Sequence, residues 1–334
     1  MNQLELLKLA RAYQQSALVL ALAELDICSA LPSEGATPEE LAEKLGLELR
    51  PLAAMLAATA AMGLLDSKAN RYFNTPLSAD CLVKSGPHYI GQQLKSYADQ
   101  YKGWASLPQA VREGRQVLPS LHNDTQNDPA LRQLILSLHQ GGQAVIPQVK
   151  LILDPYLAKA RRLLDVGCGA GTYALAFAEA YPNLEVTLLD QSGVLQIAQE
   201  VTAANPARER VSFRSADYRT EELGQAEFEL ILFFQVLRTE SPATIRLLLH
   251  KAAKALGKAG VVAIYDTFLE EGRTGPVENV FQNVTLSLMY SEGGLFTEGE
   301  LTGWLAEAGF KSPRAYPITG VRPMVLYLAQ LAEV

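Results

Sequence analysis

Apolar positions near the start of the chain recur at helical spacing and are separated by turn signals. Thr37 and Glu40, three residues apart, have the layout of a capping box and predict the start of a helix that ends at Gly46. A second helix, rich in alanine and leucine, is expected to end at Gly63. Alternating residues then predict two short strands around a turn at 68–70. The predicted order is helix, turn, helix and a two-stranded wing.

From Arg161 onward, short apolar segments of strand length alternate with helical patterns of about 10 to 17 residues. This alternation predicts an α/β fold with a Rossmann-like, doubly wound and mainly parallel sheet. Residues 85–160 have helical patterns, and the clearest of these is broken at Gly141 and Gly142. We therefore divide the chain into a winged-helix-like dimerisation domain at 1–84, a helical connector at 85–160 that contributes to the substrate pocket, and a ligand-binding domain at 161–334.

The second helix of the winged-helix layout indicates what the first domain does. A winged helix reads DNA when this helix carries polar or basic side chains into the major groove. Here it has Arg50 at its start and then mostly alanine, leucine and methionine. An apolar helix of this kind favours contact with another protein chain, and a homodimer is the simplest arrangement. We expect dimerisation and no binding of nucleic acid.

Composition and charge narrow the class of protein further. The chain has 29 Lys and Arg against 36 Asp and Glu, a net charge of −7, which argues against broad nucleic-acid binding. No apolar run approaches the about 18 residues of a membrane span, and the first residues lack the layout of a secretion signal. Three cysteines without CxxC spacing and four scattered histidines predict neither a disulfide framework nor a metal site. We expect a soluble, cytoplasmic protein.

Glycines cluster between the first predicted strand and the first predicted helix of the third domain. Gly167, Gly169 and Gly171 follow Asp165 in the pattern D-x-G-x-G-x-G, a turn that a nucleotide can approach closely. The string from Gly169 to Ala174 also satisfies G-x-G-x-x-A, the dinucleotide fingerprint. The preceding acid favours S-adenosylmethionine, because a carboxylate there can accept a hydrogen bond from the ligand's ammonium group. A nicotinamide dinucleotide is the alternative.

Two further acids lie at the ends of the next predicted strands. Asp190 can accept hydrogen bonds from a ribose diol, in either candidate ligand. Asp217 can accept from an adenine amino group, with the ring of Tyr218 against the base. Because the carboxyl ends of parallel strands meet at one edge of the sheet, we expect these side chains to lie around one ligand.

Together, these segments resemble a known family. The string LLDVGCGAGTYALAFAEAYPNLEVTLLD, the later SADY and the strand spacing look like class I S-adenosylmethionine-dependent methyltransferases. With the front segment TPEELAEKLGLELRPLAAMLAATAAMGLLD, the chain resembles the dimeric small-molecule O-methyltransferases of secondary metabolism from end to end. The resemblance implies S-adenosylhomocysteine as product, a small-molecule acceptor, and a homodimer in which the N-terminal domains are exchanged. It also implies cofactor contacts from Phe234 and Gln235.

The chain departs from that family's pattern where the family has its general base. The family's His corresponds to Arg238, and an acid at the end of the fifth strand is kept as Asp266. Arginine stays protonated in proteins, so it cannot accept the proton. Arg238 can hold a carboxylate or stabilise a phenolate or enolate, or it can form an ion pair with Asp266. If a base is needed, His139 is the candidate, with a structural role as the alternative.

A predicted helix after the fifth strand supplies candidate pocket residues. Asn279, Asn283, Met289 and Tyr290 lie at i, i+4, i+10 and i+11, and on one helix these positions can share a face toward the acceptor. The alternative is an amphipathic helix that packs on the sheet. His139 is expected to line the same pocket.

These observations predict methyl transfer from S-adenosylmethionine to a small, cyclic or aromatic metabolite, with oxygen as the first choice of acceptor atom. Because Arg238 replaces the base, transfer to an activated carbon is the alternative, as in bacteriochlorophyll-type relatives that lack the His. The remaining alternatives are a homologue that binds the cofactor without methylating, a regulator that uses the winged helix, and an NAD-dependent oxidoreductase.

Overall fold

The computed structural model describes residues 1–118, 120, 128–320 and 322–332. The chain divides into two compact units, Met1–Lys102 and Gly103–Val334. Within the described residues, no helix is long and apolar enough to cross a membrane.

The first unit is mostly helical and carries one β-hairpin. Its elements, in chain order, are α1 (Gln3–Ala10), α2 (Tyr13–Glu24), α3 (Ile27–Ala30), α4 (Pro38–Leu45), α5 (Leu49–Ala61), β1 (Leu65–Lys68), β2 (Arg71–Asn74), α6 (Pro76–Cys81) and α7 (Gly91–Ala105), whose last residues belong to the second unit.

Local chemistry fixes the predicted helix–helix–hairpin order. Thr37 caps α4, and the side chain of Glu40 returns a hydrogen bond to the Thr37 backbone, so the capping box is confirmed. Gly46 ends α4 with a left-handed backbone, φ +65°. At the hairpin tip, Ala69 and Asn70 both have positive φ, as a tight two-residue turn requires.

The second unit alternates strands and helices. Its elements are α8 (Leu107–Glu113), α9 (Pro129–Gln143), α10 (Ile146–Leu157), β3 (Arg162–Val166), α11 (Thr172–Ala180), β4 (Glu185–Asp190), α12 (Ser192–Thr202), β5 (Val211–Ser215), β6 (Phe228–Phe234), α13 (Pro242–Ala255), β7 (Leu256–Asp266), α14 (Val277–Met289), α15 (Glu298–Glu307), β8 (Phe310–Ile318) and β9 (Met324–Leu331).

The strands of this unit form one sheet, which in the described residues has the order β5-β4-β3-β6-β7-β9-β8. The pairs from β5 to β7 are parallel, and β9 is antiparallel to both β7 and β8. Both faces of the sheet are buried, one under α10, α11 and α12 and the other under α13 and α15. The predicted doubly wound, mainly parallel fold is confirmed, and it brings the ends of β3, β4 and β6 to one edge.

Two sequence expectations about element bounds were wrong. Helix α9 does not break at Gly141 and Gly142 but continues to Gln143. A Cβ on Gly142 would lie 3.2 Å from Thr172 and Tyr173, so this glycine allows close packing and does not end the helix. The apolar pattern of TIRLLLHKAAKALGKAG also predicts one helix over this whole segment, but the helix ends at Ala255, because Leu256 pairs with Phe228 and starts β7.

Candidate active site

The turn between β3 and α11, residues 167–171, has a left-handed backbone at all three glycines. Gly167, Gly169 and Gly171 have φ of +66°, +55° and +73°, which other residues rarely adopt. A Cβ on Gly167 would lie 2.6 Å from Cγ2 of Val236, whereas a Cβ on Gly169 would meet nothing nearer than 3.9 Å. The glycine turn is therefore closed against its neighbours at Gly167 and open at Gly169, where a ligand can approach the backbone.

Asp190, the last residue of β4, is fixed at the edge of the glycine turn. Its Oδ2 accepts a hydrogen bond from the Gly169 N–H at 2.9 Å, and its Oδ1 accepts one from the Gln191 N–H at 2.8 Å. The predicted meeting of the β3 and β4 ends is thus seen directly: the acid expected to hold a ribose touches the glycine turn.

Asp165 is the buried acid of the site. Only 3% of its surface is exposed, and burial together with the nearby Asp190 raises the pKa of its carboxyl to about 8. The same surroundings raise the pKa of the Cys168 thiol well above its usual range, with burial as the main cause and Asp190 and Asp165 adding to it. The two acids beside the glycine turn therefore favour a ligand with a cationic group.

Asp217 and Tyr218 follow β5, as predicted, but they have partners that the sequence did not reveal. The Nε and Nη2 atoms of Arg219 donate to the two Asp217 oxygens at 2.9 and 3.0 Å. The Tyr218 hydroxyl donates to Oε1 of the buried Glu240 at 2.9 Å. A Cβ on Gly167 would lie 3.6 Å from the Tyr218 ring, so this ring borders the glycine turn.

Lys251, a buried lysine on α13, holds this segment in place. Its ammonium group donates to the backbone carbonyls of Tyr218, Arg219 and Glu221 at 3.0, 3.0 and 2.9 Å. Three carbonyls match the three donors of an ammonium group. Lysine in a predominantly apolar helix gave no signal of this role in the sequence.

Arg238 and Asp266 are paired, as the sequence allowed. The Arg238 backbone N–H donates to Asp266 Oδ2 at 3.3 Å, and Arg238 Nη1 lies 3.5 Å from Oδ1. The guanidinium also donates to Thr267 Oγ1 at 3.4 Å and to Oε1 of Gln235. Burial raises the pKa of the Asp266 carboxyl, and Arg238 opposes that rise. Both side chains are buried, so the ion pair lies in the interior of the second unit.

An aromatic wall of three rings lies beside this ion pair. The ring centroids of Tyr173, Phe234 and Tyr265 are 4.9 to 5.9 Å apart, and the rings meet edge to face. Tyr173 follows the glycine turn, Phe234 ends β6 and Tyr265 lies near the end of β7. Sequence reasoning expected Phe234 near the cofactor but missed the two tyrosines, which have no motif of their own.

His139, on α9, lies over the start of α11. Its Nδ1 is 2.9 Å from Thr172 Oγ1, and its Nε2 is 3.1 Å from the side-chain nitrogen of Gln143. Burial lowers the pKa of the imidazole, which favours the neutral form. The structure therefore places His139 beside the glycine turn with both ring nitrogens engaged.

The predicted pocket face on α14 differs from the expectation. Asn279 is buried, and its Nδ2 donates to the carbonyls of Phe268 and Pro323 at 2.9 and 3.1 Å. Asn283 Oδ1 accepts from the Leu295 N–H at 2.7 Å. These two amides anchor neighbouring backbone segments.

The other two predicted pocket residues pack in a core. Met289 ends α14, and Tyr290 lies beyond the helix with an extended backbone, so it does not share a helical face with Asn279. Both are buried in an apolar cluster with Leu269, Leu286 and Leu295. Acceptor contact by any of the four stays a prediction.

Metal binding finds no support in the described part of the chain, where no group of three or more His, Cys, Asp or Glu could hold an ion.

Comparison with known proteins identifies the family. Residues 104–311 match the O-methyltransferase domain, and residues 7–84 match the O-methyltransferase dimerisation domain. The 3-hydroxy-5-methyl-1-naphthoate 3-O-methyltransferase of Streptomyces sahachiroi is 28% identical over 312 residues, which cover 92% of this chain and 89% of that protein. The L-tyrosine C(3)-methyltransferase of Streptomyces lavendulae is 24% identical over 306 residues, with coverages of 87% and 82%.

A solved structure agrees with this assignment at the level of the fold. Human N-acetylserotonin methyltransferase, crystallised in complex with S-adenosylmethionine, has a TM-score of 0.85 to this chain at 20% identity, over 99% of each chain. The O-methyltransferase domain spans more than half of the sequence, and the dimerisation domain precedes it. The chain therefore belongs to the S-adenosylmethionine-dependent O-methyltransferase family.

Proposed function

We propose that this protein methylates a small, cyclic or aromatic metabolite and that oxygen is the acceptor atom. The observation that carries the proposal is the meeting of the open glycine turn with Asp165 and Asp190 at the ends of β3 and β4. The Streptomyces sahachiroi relative is named for 3-O-methylation of a hydroxynaphthoate, an aromatic acid. That name supports the class of acceptor proposed for this chain.

The residues around the glycine turn fit S-adenosylmethionine. Asp190 presents a carboxylate to a ribose, Asp165 presents a buried acid to an ammonium group, and Gly169 leaves the backbone approachable. We assign the adenine to Asp217 and Tyr218, and Phe234 and Gln235 to the border of the site. When bound, the cofactor supplies a methyl group on a sulfonium, which makes that carbon electrophilic.

The chain's own contribution to the reaction is positioning and charge. The guanidinium of Arg238 cannot take a proton from the acceptor, so it stabilises an acceptor that is already ionised. Asp266 holds the guanidinium in place through the ion pair and its bond to the Arg238 N–H. The buried rings of Tyr173, Phe234 and Tyr265 exclude water from this space, which strengthens every charge interaction within it.

His139 is the proposed base for an acceptor that arrives protonated. Its lowered pKa keeps the imidazole neutral near pH 7, which a proton acceptor requires. Its bonds to Thr172 and Gln143 have to rearrange before a ring nitrogen can reach an acceptor.

Carbon is the second candidate for the acceptor atom, and Arg238 is the observation that favours it. A phenolate held by a guanidinium is nucleophilic at its ring carbons as well as at oxygen, and no base is needed once the phenol is ionised. The Streptomyces lavendulae relative is named for methylation of L-tyrosine at C(3), a carbon atom. We further propose that the protein acts as a homodimer through its dimerisation domain.

Calorimetric titration with S-adenosylmethionine and S-adenosylhomocysteine tests the proposed function. We expect micromolar binding of both, reduced at least about tenfold in Asp190→Ala because a ribose diol loses its acceptor. Glu185→Ala, an exposed acid at the other end of β4, is the matched control and should bind as the wild type does. Absence of binding to the folded wild-type protein would refute the proposal. A tritiated-methyl assay over phenols, aromatic acids and enolisable ketones then detects transfer, and NMR of each product distinguishes methylation at oxygen from methylation at carbon.

A further inference from the structure

We propose that Tyr173 and Arg238 form a binding site for an anionic oxygen of the acceptor, with Gln235 holding the guanidinium. The acceptor would be a phenolate, an enolate or an aromatic carboxylate. This inference rests on the proposed function and deepens it, because it adds Tyr173 and Gln235 to Arg238 as the residues that bind the ionised group.

The Tyr173 hydroxyl is buried without a well-formed hydrogen bond among the described residues. Tyr173 is 7% exposed, and its hydroxyl lies close to the Gln235 side chain. Leaving a buried hydroxyl unsatisfied costs about 1–3 kcal/mol, so such a group calls for an explanation. Its ring packs on Phe234 and Tyr265 at the strand ends, and a Cβ on Gly142 would lie 3.2 Å from its oxygen. The glycine in α9 thus makes room for the hydroxyl beside the proposed methyl-transfer space.

The Arg238 guanidinium has more N–H donors than its described partners use. A guanidinium has five N–H donors. In the described residues, Arg238 directs one to Thr267, one to Gln235 and one toward Asp266, so donors remain for a ligand. Gln235 has a left-handed backbone, φ +62°, an arrangement that costs free energy and clusters at functional sites. Its N–H is bonded to the Tyr265 carbonyl at 2.7 Å, which fixes the strained residue at the sheet edge.

The polar groups that remain for a ligand are hydrogen-bond donors. Gln235 Oε1 already accepts from Arg238, so the polar groups that these residues still offer are N–H donors of the guanidinium and of the Gln235 amide, together with the Tyr173 hydroxyl. Burial raises the pKa of Tyr173 and keeps the phenol protonated, so it donates. A donor-rich buried site holds an anion better than it holds a neutral alcohol.

Other charged and titratable groups lie near Tyr173 and Arg238. Asp266 compensates Arg238, and Asp165 lies close enough to Tyr173 to raise its pKa slightly. Burial raises the pKa of Tyr265 to about 12, and both Arg238 and Arg322 oppose that rise, so a second guanidinium acts on the aromatic wall. His139 on α9 is neutral near pH 7 because burial lowers its pKa. Of these groups, Arg238 pairs with the fully buried Asp266, and Arg322 acts on Tyr265.

Titration of 4-nitrophenol into the protein loaded with S-adenosylhomocysteine tests this site. The ionised and neutral forms of this probe differ in colour, so the pKa of the bound phenol can be read directly. We expect the phenolate to bind at least about tenfold more tightly than the phenol, a lowering of the bound pKa by about one unit or more. The neutral 4-nitroanisole should bind more weakly than the phenolate by a similar factor.

Two variants and one control locate the effect. Tyr173→Phe removes only this hydroxyl, so the variant should fold and should lose about threefold to tenfold of the phenolate preference. Arg238→Lys keeps the charge beside Asp266 but loses the planar fork, and it should lose about tenfold. Tyr181→Phe removes a hydroxyl at the far end of α11, where it is bonded to the exposed side chain of Asp154, and should keep the preference.

The outcomes separate this inference from the proposed function. If S-adenosylhomocysteine binds and the probe does not, or binds equally in both forms, the anion site is wrong while methyl transfer stands. A phenolate preference that survives in both Tyr173→Phe and Arg238→Lys also overturns the assignment. Failure of S-adenosylhomocysteine to bind overturns the proposed function instead.

Discussion

At the scale of single residues, Asp165 is the acid whose charge depends most on its ligand. Its pKa of about 8 means that the carboxyl is mostly protonated near pH 7 in the free protein. A cationic ammonium group beside it would lower that pKa and expel the proton. We predict that S-adenosylhomocysteine binding near pH 7 releases up to about one proton, measured by calorimetry in two buffers of different ionisation enthalpy.

The proton release from Asp165 should decrease as the pH rises, and Asp165→Asn provides the control. Above about pH 9 the carboxyl is already ionised and the release from Asp165 should vanish, and at pH 5 it should be largest if the bound pKa lies below 5. Asp165→Asn should abolish this part of the release at every pH while leaving the turn backbone intact. Uptake of protons, or the same release in Asp165→Asn, would show that the ammonium group lies elsewhere.

At the scale of elements, α13 and the segment after β5 act together through Lys251. The three carbonyls that its ammonium group binds belong to the segment that carries Asp217 and Tyr218. We predict that Lys251→Met lowers the free energy of unfolding by about 2–4 kcal/mol, because three partly buried carbonyls lose a charged donor. We also predict about tenfold weaker S-adenosylhomocysteine binding, since the adenine-binding segment is no longer held.

Lys254, one turn further along α13, provides the matched comparison. It is exposed and pairs with the exposed Glu222 at 3.2 Å. Lys254→Met should change the free energy of unfolding by no more than about 0.5 kcal/mol and leave binding unchanged. Urea unfolding and calorimetry on the two variants check the pair of predictions. Equal effects of both substitutions would rule out the special role of Lys251.

The strands and helices of the second unit were largely predictable, because apolar residues recur in each segment at the spacing typical of a strand or of a helix. The break expected at Gly142 failed because a glycine inside a helix looks the same whether it ends the helix or admits a neighbour, here Tyr173. Candidate acids at strand ends could be placed from order alone. The hydrogen bonds around them, such as those from Arg219 to Asp217 and from Lys251 to backbone carbonyls, depend on side-chain directions. The spacing of apolar residues in the sequence does not predict these directions.

At the scale of the whole molecule, the first helix of the dimerisation domain lacks a buried face. None of the residues of α1 is buried, and four of its leucines are 56–61% exposed: Leu4, Leu6, Leu7 and Leu9. An isolated helix of eight residues is marginal in water, and exposed leucines in a row mark a contact surface. Helix α1 therefore belongs to the proposed homodimer interface.

We predict that Leu6→Glu combined with Leu9→Glu converts the protein from dimer to monomer, because buried carboxylates would lack partners. Light scattering coupled to size exclusion measures the molar mass. Leu247→Glu, on an exposed position of α13, should leave the dimer intact. A wild-type monomer would contradict the homodimer proposal, whereas a dimer that survives the double substitution would place the interface elsewhere.

The thiol of Cys168 lies within the glycine turn, so its alkylation can report local opening of that turn. A thiol attacks iodoacetamide as the thiolate, and this thiol is buried with a pKa raised well above its usual range. Alkylation has to wait for a local opening, so its rate counts how often the turn opens. A ligand that holds the turn shut should slow the alkylation of Cys168 in proportion to occupancy, whereas Cys81, half-buried in the first unit, should keep its own rate.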